Sequence, residues 1–275
     1  MTQVDDSAAL ARLIDVLRPW RERIVIVGGW AHALHRLHPW ASPPSYLPLR
    51  TKDADLAFSL DAPPAGDIRA ALEAADFREV LSGEHRPPIA EYRLGEENGG
   101  FFAEFLAPLK GSGQKRDGTE DATVTAAGVT AQKLRHLDLL LQLPFGLQLD
   151  GNGDFPLRTP ADVLLANPVS FIAQKLLIKK LRKPEKQAQD ALYVHDTLEL
   201  FAGKRDELRG LWLDGIRPKL HSNTVRDIER FYHEQFGTVT DVIRRAARIP
   251  VGRSLTPERM QATCAYGLDE MLRSP

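Results

Sequence analysis

The stretch "IVIVGGWAHALH", Ile24 to His35, decides how the chain is read. Four consecutive β-branched residues make a short buried strand, because branched side chains pack well on a pleated surface and crowd a helix. The run stops at Gly28 and Gly29, and Trp30, Ala31 and Leu34 then recur at helical spacing. Strand, glycine turn, helix is the result. The glycines serve either as a plain tight turn or as a cradle in which backbone N–H groups, unshielded by side chains, approach an anion at the helix start.

Outward from this unit the pattern stays mixed. Upstream, Leu10, Leu13, Ile14 and Leu17 form a helical stripe closed by Pro19. Downstream, "HPWASPPSYLPL" is a proline-rich loop, "ADLAFSL" an alternating strand and "PPAGDIRAALEAAD" a helix entered through prolines. Strands are expected at "FREVLS", "IAEYRL" and "FFAEFLAPL", with a turn at "GEENGG". The glycine-rich "LKGSGQKRDGTED" reads as a surface loop, "RHLDLLLQL" as a short helix, and "FGLQLDGNGDFPLR" as a hairpin turning at "DGNGD". From Pro168 the chain is nearly all helical. These signals give an α+β class: a mixed sheet with flanking helices over residues 1–120, a connecting helix and hairpin over 121–165, and a mainly helical C-terminal domain over 166–275.

Composition narrows the options. The 275 residues are 43% hydrophobic and 27% charged, with a formal net charge of -1, so no global basic field points to nucleic acid. The single cysteine, Cys264, rules out an internal disulfide framework. The N-terminal "MTQVDDSAAL" is acidic where a signal peptide is basic and then apolar, and no run is long enough to span a membrane. The expected location is cytoplasmic, with no membrane partner.

In "RTKDADLAF", Asp53 and Asp55 lie two apart on a strand and so share a face, while Ala54 and Leu56 point to the other layer. Paired carboxylates repel unless a cation joins them, and Mg2+ is commonly held by one or two carboxylates plus substrate phosphates. An exposed acidic pair at a strand mouth is the alternative. Glu104 is the lone charge in "FFAEFLAPL", and a buried carboxylate without a partner is costly. It either joins Asp53 and Asp55 around a cation, reaches an arginine or faces solvent.

"VGGWAHALH", "RTKDADLAF" and "FFAEFLAPL", with "NPVSFIAQKLLIKKLRKPEKQAQDAL" downstream, resemble the nucleotidyltransferase fold of the DNA polymerase β superfamily, and more narrowly the bacterial AbiEii-like nucleotidyltransferases. The resemblance covers roughly residues 20–200. It implies an enzyme moving an NMP from an NTP to an acceptor hydroxyl on an RNA end, a protein or a small molecule, with Mg2+ or Mn2+ as cofactor. Gly28 and Gly29 would form the nucleotide loop, and Asp53, Asp55 and Glu104 the metal ligands of a two-metal site. Lys175 and Asp190 match later family positions that reach the nucleotide. A toxin role with an antitoxin partner is a further implication. The alternative on the same fold is a non-catalytic nucleotide- or RNA-binding module. Gly29 and Asp53 stand 24 positions apart, longer than the family's usual spacing, and the proline-rich loop fills the excess.

Lys175, Lys179 and Arg182 fall at i, i+4 and i+7, which on one helix makes a positive stripe for a triphosphate or an RNA backbone, or simply a solvated face. Asp190 has a catalytic reading and a plainer one, an ion pair with Lys186. His32, His35 and His38 lack a cysteine or carboxylate at metal-ligand spacing, which leaves His32 or His35 as pocket-lining candidates. No P-loop pattern or G-x-S-x-G elbow is present, and "GGWAHA" lacks the third glycine of a dinucleotide fingerprint.

Overall fold

The computed structural model describes residues 6–95, 100–151 and 155–273. The chain divides into two compact units, one of residues up to 31 with 50–166, the other of residues 32–49 with those from 167 on.

The first unit carries a mixed nine-stranded sheet. Its strands are β1 (Val25–Val27), β2 (Asp53–Ala57), β3 (Arg78–Ser82), β4 (Ile89–Leu94), β5 (Phe101–Pro108), β6 (Thr123–Ala126), β7 (Val129–Leu134), β8 (Phe145–Leu149) and β9 (Ala161–Leu165). The order runs β3-β4-β5-β2-β1-β9-β8, and the β6–β7 hairpin joins through β7 to the C-terminal half of β5. β2 and β5 run parallel, and β4 lies antiparallel to β5.

Three helices accompany this sheet: α1 (Asp6–Leu17), the first turn of α2 (Gly28–Leu34) and α3 (Ile68–Ala74), with the short α4 (Leu137–Leu140) after β7. The expected α1 stripe is fully buried, and Leu10, Leu13, Leu17, Ile26, Leu56 and Val163 line one small apolar cavity. One face of β2, β5 and β4 is thus filled by Ala54, Leu56, Ala103, Phe105, Ala90 and Tyr92, all buried. Their alternation fixes where the intervening polar residues point.

Several expectations need adjustment. α3 begins at an Asp67 cap, whose carboxylate accepts from the Ala70 N–H at 2.9 Å, and the prolines lie ahead of it in the loop. The β6–β7 hairpin was not foreseen; it turns at Ala127 and Gly128, both at positive φ. The strand returning against β8 is Ala161–Leu165 instead of "FPLR". The turn expected at "GEENGG" and the one at "DGNGD" fall largely on residues 96–99 and 152–154, outside the described residues.

The second unit is helical, with α5 (Pro168–Ile178), α6 (Pro184–Leu200), α7 (Arg205–Gly210), α8 (Ser222–Phe236), α9 (Asp241–Ala246) and α10 (Pro257–Leu272). Asn167 caps α5, its side chain accepting from the Ser170 N–H at 2.9 Å, ahead of Pro168 at the first turn. α6 packs against α5, α9 and α10. Gly267 lets α10 approach α6, since a Cβ there would stand 3.1 Å from the Leu198 side chain. No described helix is long and apolar enough to cross a membrane.

Phe105 is 1% exposed and meets the Tyr92 ring edge-on at 5.6 Å, on the reverse of the acid-bearing surface. Phe105→Ala is expected to cost about 3–5 kcal/mol, read from the midpoint shift in urea unfolding.

Candidate active site

Asp53 and Asp55 occupy alternate positions of β2, half-buried between the buried Ala54 and Leu56. The parallel register sets Asp55 beside Glu104 of β5, and the antiparallel register sets Glu104 beside Glu91 of β4. Asp55, Glu104 and Glu91 therefore form a row across three strands. One step along the strands lies a second row, Asp53, Phe102 and Arg93.

Glu104 has no ion-pair partner among the described residues; Arg93 instead forks onto Glu91, with Nε at 2.9 Å and Nη2 at 2.6 Å from one carboxylate oxygen. Burial, with the charges of Glu91 and Asp53 beside it, pushes the Glu104 carboxyl up to about 7. The Thr51 hydroxyl donates to Asp53.

Gly28 belongs to the same place. Its φ is +64, and a Cβ there would overlap the Asp55 carboxylate, so the position demands glycine on two counts. The glycine turn between β1 and α2 and the acidic row are thus in direct contact.

The other candidates lie in the second unit. Lys175 Nζ is 2.7 Å from Asp190, with both side chains 7% exposed. The ammonium rests over the rings of Phe171 at 5.4 Å and Tyr193 at 5.5 Å. Arg182 approaches the other Asp190 oxygen at 3.3 Å, and Lys186 donates instead to Gln189. The expected stripe does not form. α5 ends at Ile178, a 3-10 turn takes over from Lys179, and Lys179 pairs with Glu234 at 2.8 Å and donates to the Phe231 carbonyl.

His32 and His35 are buried among the rings of Phe171, Tyr193 and Phe201. Burial lowers the His32 pKa to about 4, so the ring is neutral. His195, Asp196 and Glu199 of α6 have the spacing of a metal-binding group. Here the carboxylates already have partners: Arg253 Nη2 lies 2.6 Å and His195 Nδ1 2.8 Å from Asp196, and the Tyr46 hydroxyl donates to Glu199 at 2.5 Å. Burial favours the neutral acid at Asp196, yet the hydrogen bonds from His195 and Arg253 outweigh it and hold the group below its ordinary value. A guanidinium supplies the positive charge that an ion would bring.

Carboxylates gathered on neighbouring strands against a glycine turn, with Glu104 lacking an ion-pair partner among the described residues, suit the handling of phosphate groups through divalent ions. Residues 5–216 match a family model described as Nucleotidyltransferase, and the chain belongs to that family. No curated protein matches it. Membership makes the chain a nucleotidyltransferase with a nucleoside triphosphate as substrate.

Two measurements follow from these charges. Folding raises Glu104 from 4.5 to about 7, so its contribution to stability is complete below 4.5 and is lost as pH climbs through 7. In the presence of a chelator, the melting temperature of the wild-type chain should fall by a few degrees relative to Glu104→Gln between pH 5 and pH 8. In the second unit, Lys175→Met removes the buried cation of Asp190 and leaves it only the more exposed Arg182, so a loss of up to about 3–5 kcal/mol is expected, most of it recovered in the Lys175→Met, Asp190→Leu double variant.

Proposed function

We propose that the chain is a Mg2+-dependent nucleotidyltransferase of the DNA polymerase β superfamily type, akin to the AbiEii-like enzymes, which transfers an NMP from an NTP to an acceptor hydroxyl. The observation that carries this reading is the Asp55–Glu104 pairing with Gly28 packed against Asp55. The donor set fits hard divalent ions: all oxygen, and short of positive charge at Glu104. Asp53, Asp55 and Glu104 would hold Mg2+ or Mn2+.

When bound, such ions acidify the acceptor hydroxyl and neutralise charge on the departing pyrophosphate. Asp53 and Asp55 hold their shared face in register through the packed Ala54 and Leu56 behind them. To hold a cation Glu104 would have to release its proton, which would couple occupancy of the site to pH near neutrality. Gly28 and Gly29 leave backbone N–H groups unshielded for the triphosphate. In the reaction, a bond forms between the acceptor oxygen and the α-phosphorus, the bond to the bridging oxygen breaks, pyrophosphate leaves with the electron pair, and the hydroxyl proton passes to solvent.

The nucleotide-directed roles of Lys175, Lys179, Arg182 and Asp190 belong to the same proposal. These roles rest on the family likeness, since Lys175 and Arg182 pair with Asp190 and Lys179 pairs with Glu234. A toxin role with an antitoxin partner is what the AbiEii-like likeness adds.

Asp53→Ala with Asp55→Ala should lower transfer of label from an α-labelled NTP by at least on the order of 10²–10³-fold, with the melting transition retained. Undiminished transfer would refute the assignment. NTP binding that ignores Mg2+, in calorimetry of a chain that turns nothing over, would favour a non-catalytic binding module.

A further inference from the structure

A chain of net charge -1 gathers Lys179, Lys180, Arg182, Lys183 and Lys186 at the turn from α5 into α6, against one acid in that stretch, Glu185. Two of these cations are committed within the unit, Lys179 to Glu234 and Arg182 to Asp190. Lys180, Lys183 and Lys186 are exposed and make no ion pair among the described residues. Between them Leu181 stands 67% exposed.

A lone leucine in water is ordinary on a protein surface. This one is held there. The Arg182 N–H donates to the Lys179 carbonyl at 3.3 Å and the Gln187 side chain to the Arg182 carbonyl at 2.9 Å. The Gln187 N–H donates to the Lys183 carbonyl at 2.9 Å, and Pro184 opens α6. The turn therefore presents an apolar knob with a cationic rim, fixed before any partner arrives, which lowers the entropy that binding must overcome.

The surroundings select among anionic partners. A single-stranded nucleic acid needs rings on which bases stack. Phe231 is 7% exposed and lies under Lys179, Lys180 and Arg230, at 4.9, 4.7 and 4.8 Å from its centroid, so its ring is not open to a base. A broad anionic surface, such as a phospholipid headgroup layer, also meets the exposed Glu185 and the Glu234 carboxylate, 43% exposed. A narrow segment passes between those acids. Its carboxylates meet the free lysines, and an aliphatic side chain covers Leu181.

We infer that the α5–α6 turn is a docking site for an acidic protein segment that carries an aliphatic residue among its aspartates or glutamates. Leu181 is its apolar anchor, and Lys180 and Lys183 are the rim charges that steer and select the partner. None of the three belongs to the site that handles the nucleotide.

The test selects short random peptides on the full chain and measures the enriched ones by fluorescence anisotropy across a salt series. The enriched peptides should combine several acidic residues with leucine, isoleucine or valine, and should bind more weakly as salt rises. Leu181→Ser should weaken them about tenfold or more, and the Lys180→Glu, Lys183→Glu double variant by at least as much. Label transfer from an α-labelled NTP should change less than twofold in all three variants, which separates this inference from the transfer reading. Three results overturn it: no enrichment over the triple variant Lys180→Glu, Leu181→Ser, Lys183→Glu; binding of acidic peptides that is indifferent to Leu181→Ser; or tighter binding, through these side chains, of phosphatidylserine vesicles or a single-stranded oligonucleotide than of any selected peptide.

Discussion

Three carboxylates held side by side on neighbouring strands repel one another, and that repulsion is the constraint around which the first unit is built. The core on the reverse face imposes it. Ala54 and Leu56 on β2 lie in register with Ala103 and Phe105 on β5, all buried, and a one-residue slip would carry Asp55 and Glu104 into the core and those apolar side chains out. Hydrophobic burial therefore holds the acids where their own electrostatics oppose it. Burial first, and the charges of Glu91 and Asp53 after it, raise the Glu104 carboxyl to about 7.

The second unit treats buried charge differently. Asp190 meets Lys175 and Arg182, and Asp196 meets Arg253 and His195, so each deep carboxylate has a cationic or hydrogen-bonding partner within the unit. Such pairs gain little stability over apolar residues of similar size but are costly to break on one side. The contrast separates two clusters that sequence spacing alone would rank together. His195, Asp196 and Glu199 look like a ligand set by residue type, yet Arg253 and Tyr46 already occupy them, while Glu104 has only other acids for company.

Periodicity made much of this legible. The α1 stripe, the strand ahead of Gly28 and the alternation of β2 follow from side-chain geometry that tertiary contacts reinforce. Glu104 was readable because one charge in an apolar run is expensive and demands an explanation. Glu91, Phe102 and Arg93 were not readable as site residues, although the "IAEYRL" alternation sets Glu91 and Arg93 on one face. Only the pairing of β4 with β5 brings that face beside Glu104, and pairing is a long-range fact. The β6–β7 hairpin escaped because its turn, Ala127-Gly128, places an alanine at φ +47, without the Asn-Gly or Asp-Gly that usually announces such a turn. The lysine stripe was misread for a local reason. "KKLRK" continues the polar pattern, but the helix yields to a 3-10 turn at Lys179, where Lys179 pairs with Glu234, while Arg182 beyond it pairs with Asp190.

The long interval between Gly29 and Asp53 has a structural explanation in the same charges. The chain leaves the first unit after Ala31 and returns at Arg50, so the proline-rich stretch between them belongs to the helical unit. Within that unit it is fastened. The Tyr46 hydroxyl donates to Glu199 at 2.5 Å, the Arg253 guanidinium lies 3.7 Å from the centre of the Tyr46 ring, and the Ser42 N–H donates to the Leu200 carbonyl. Burial and the adjoining acids raise the Tyr46 pKa, which keeps the hydroxyl a donor throughout the physiological range. Prolines reduce what the unfolded segment loses in entropy on being fixed, so a few such contacts suffice to hold it. A stretch that reads in sequence as a proline-rich loop is thus a packed part of the second unit. The distance along the chain from glycine turn to acid pair measures that excursion, while in the sheet Val27 and Asp55 remain direct neighbours.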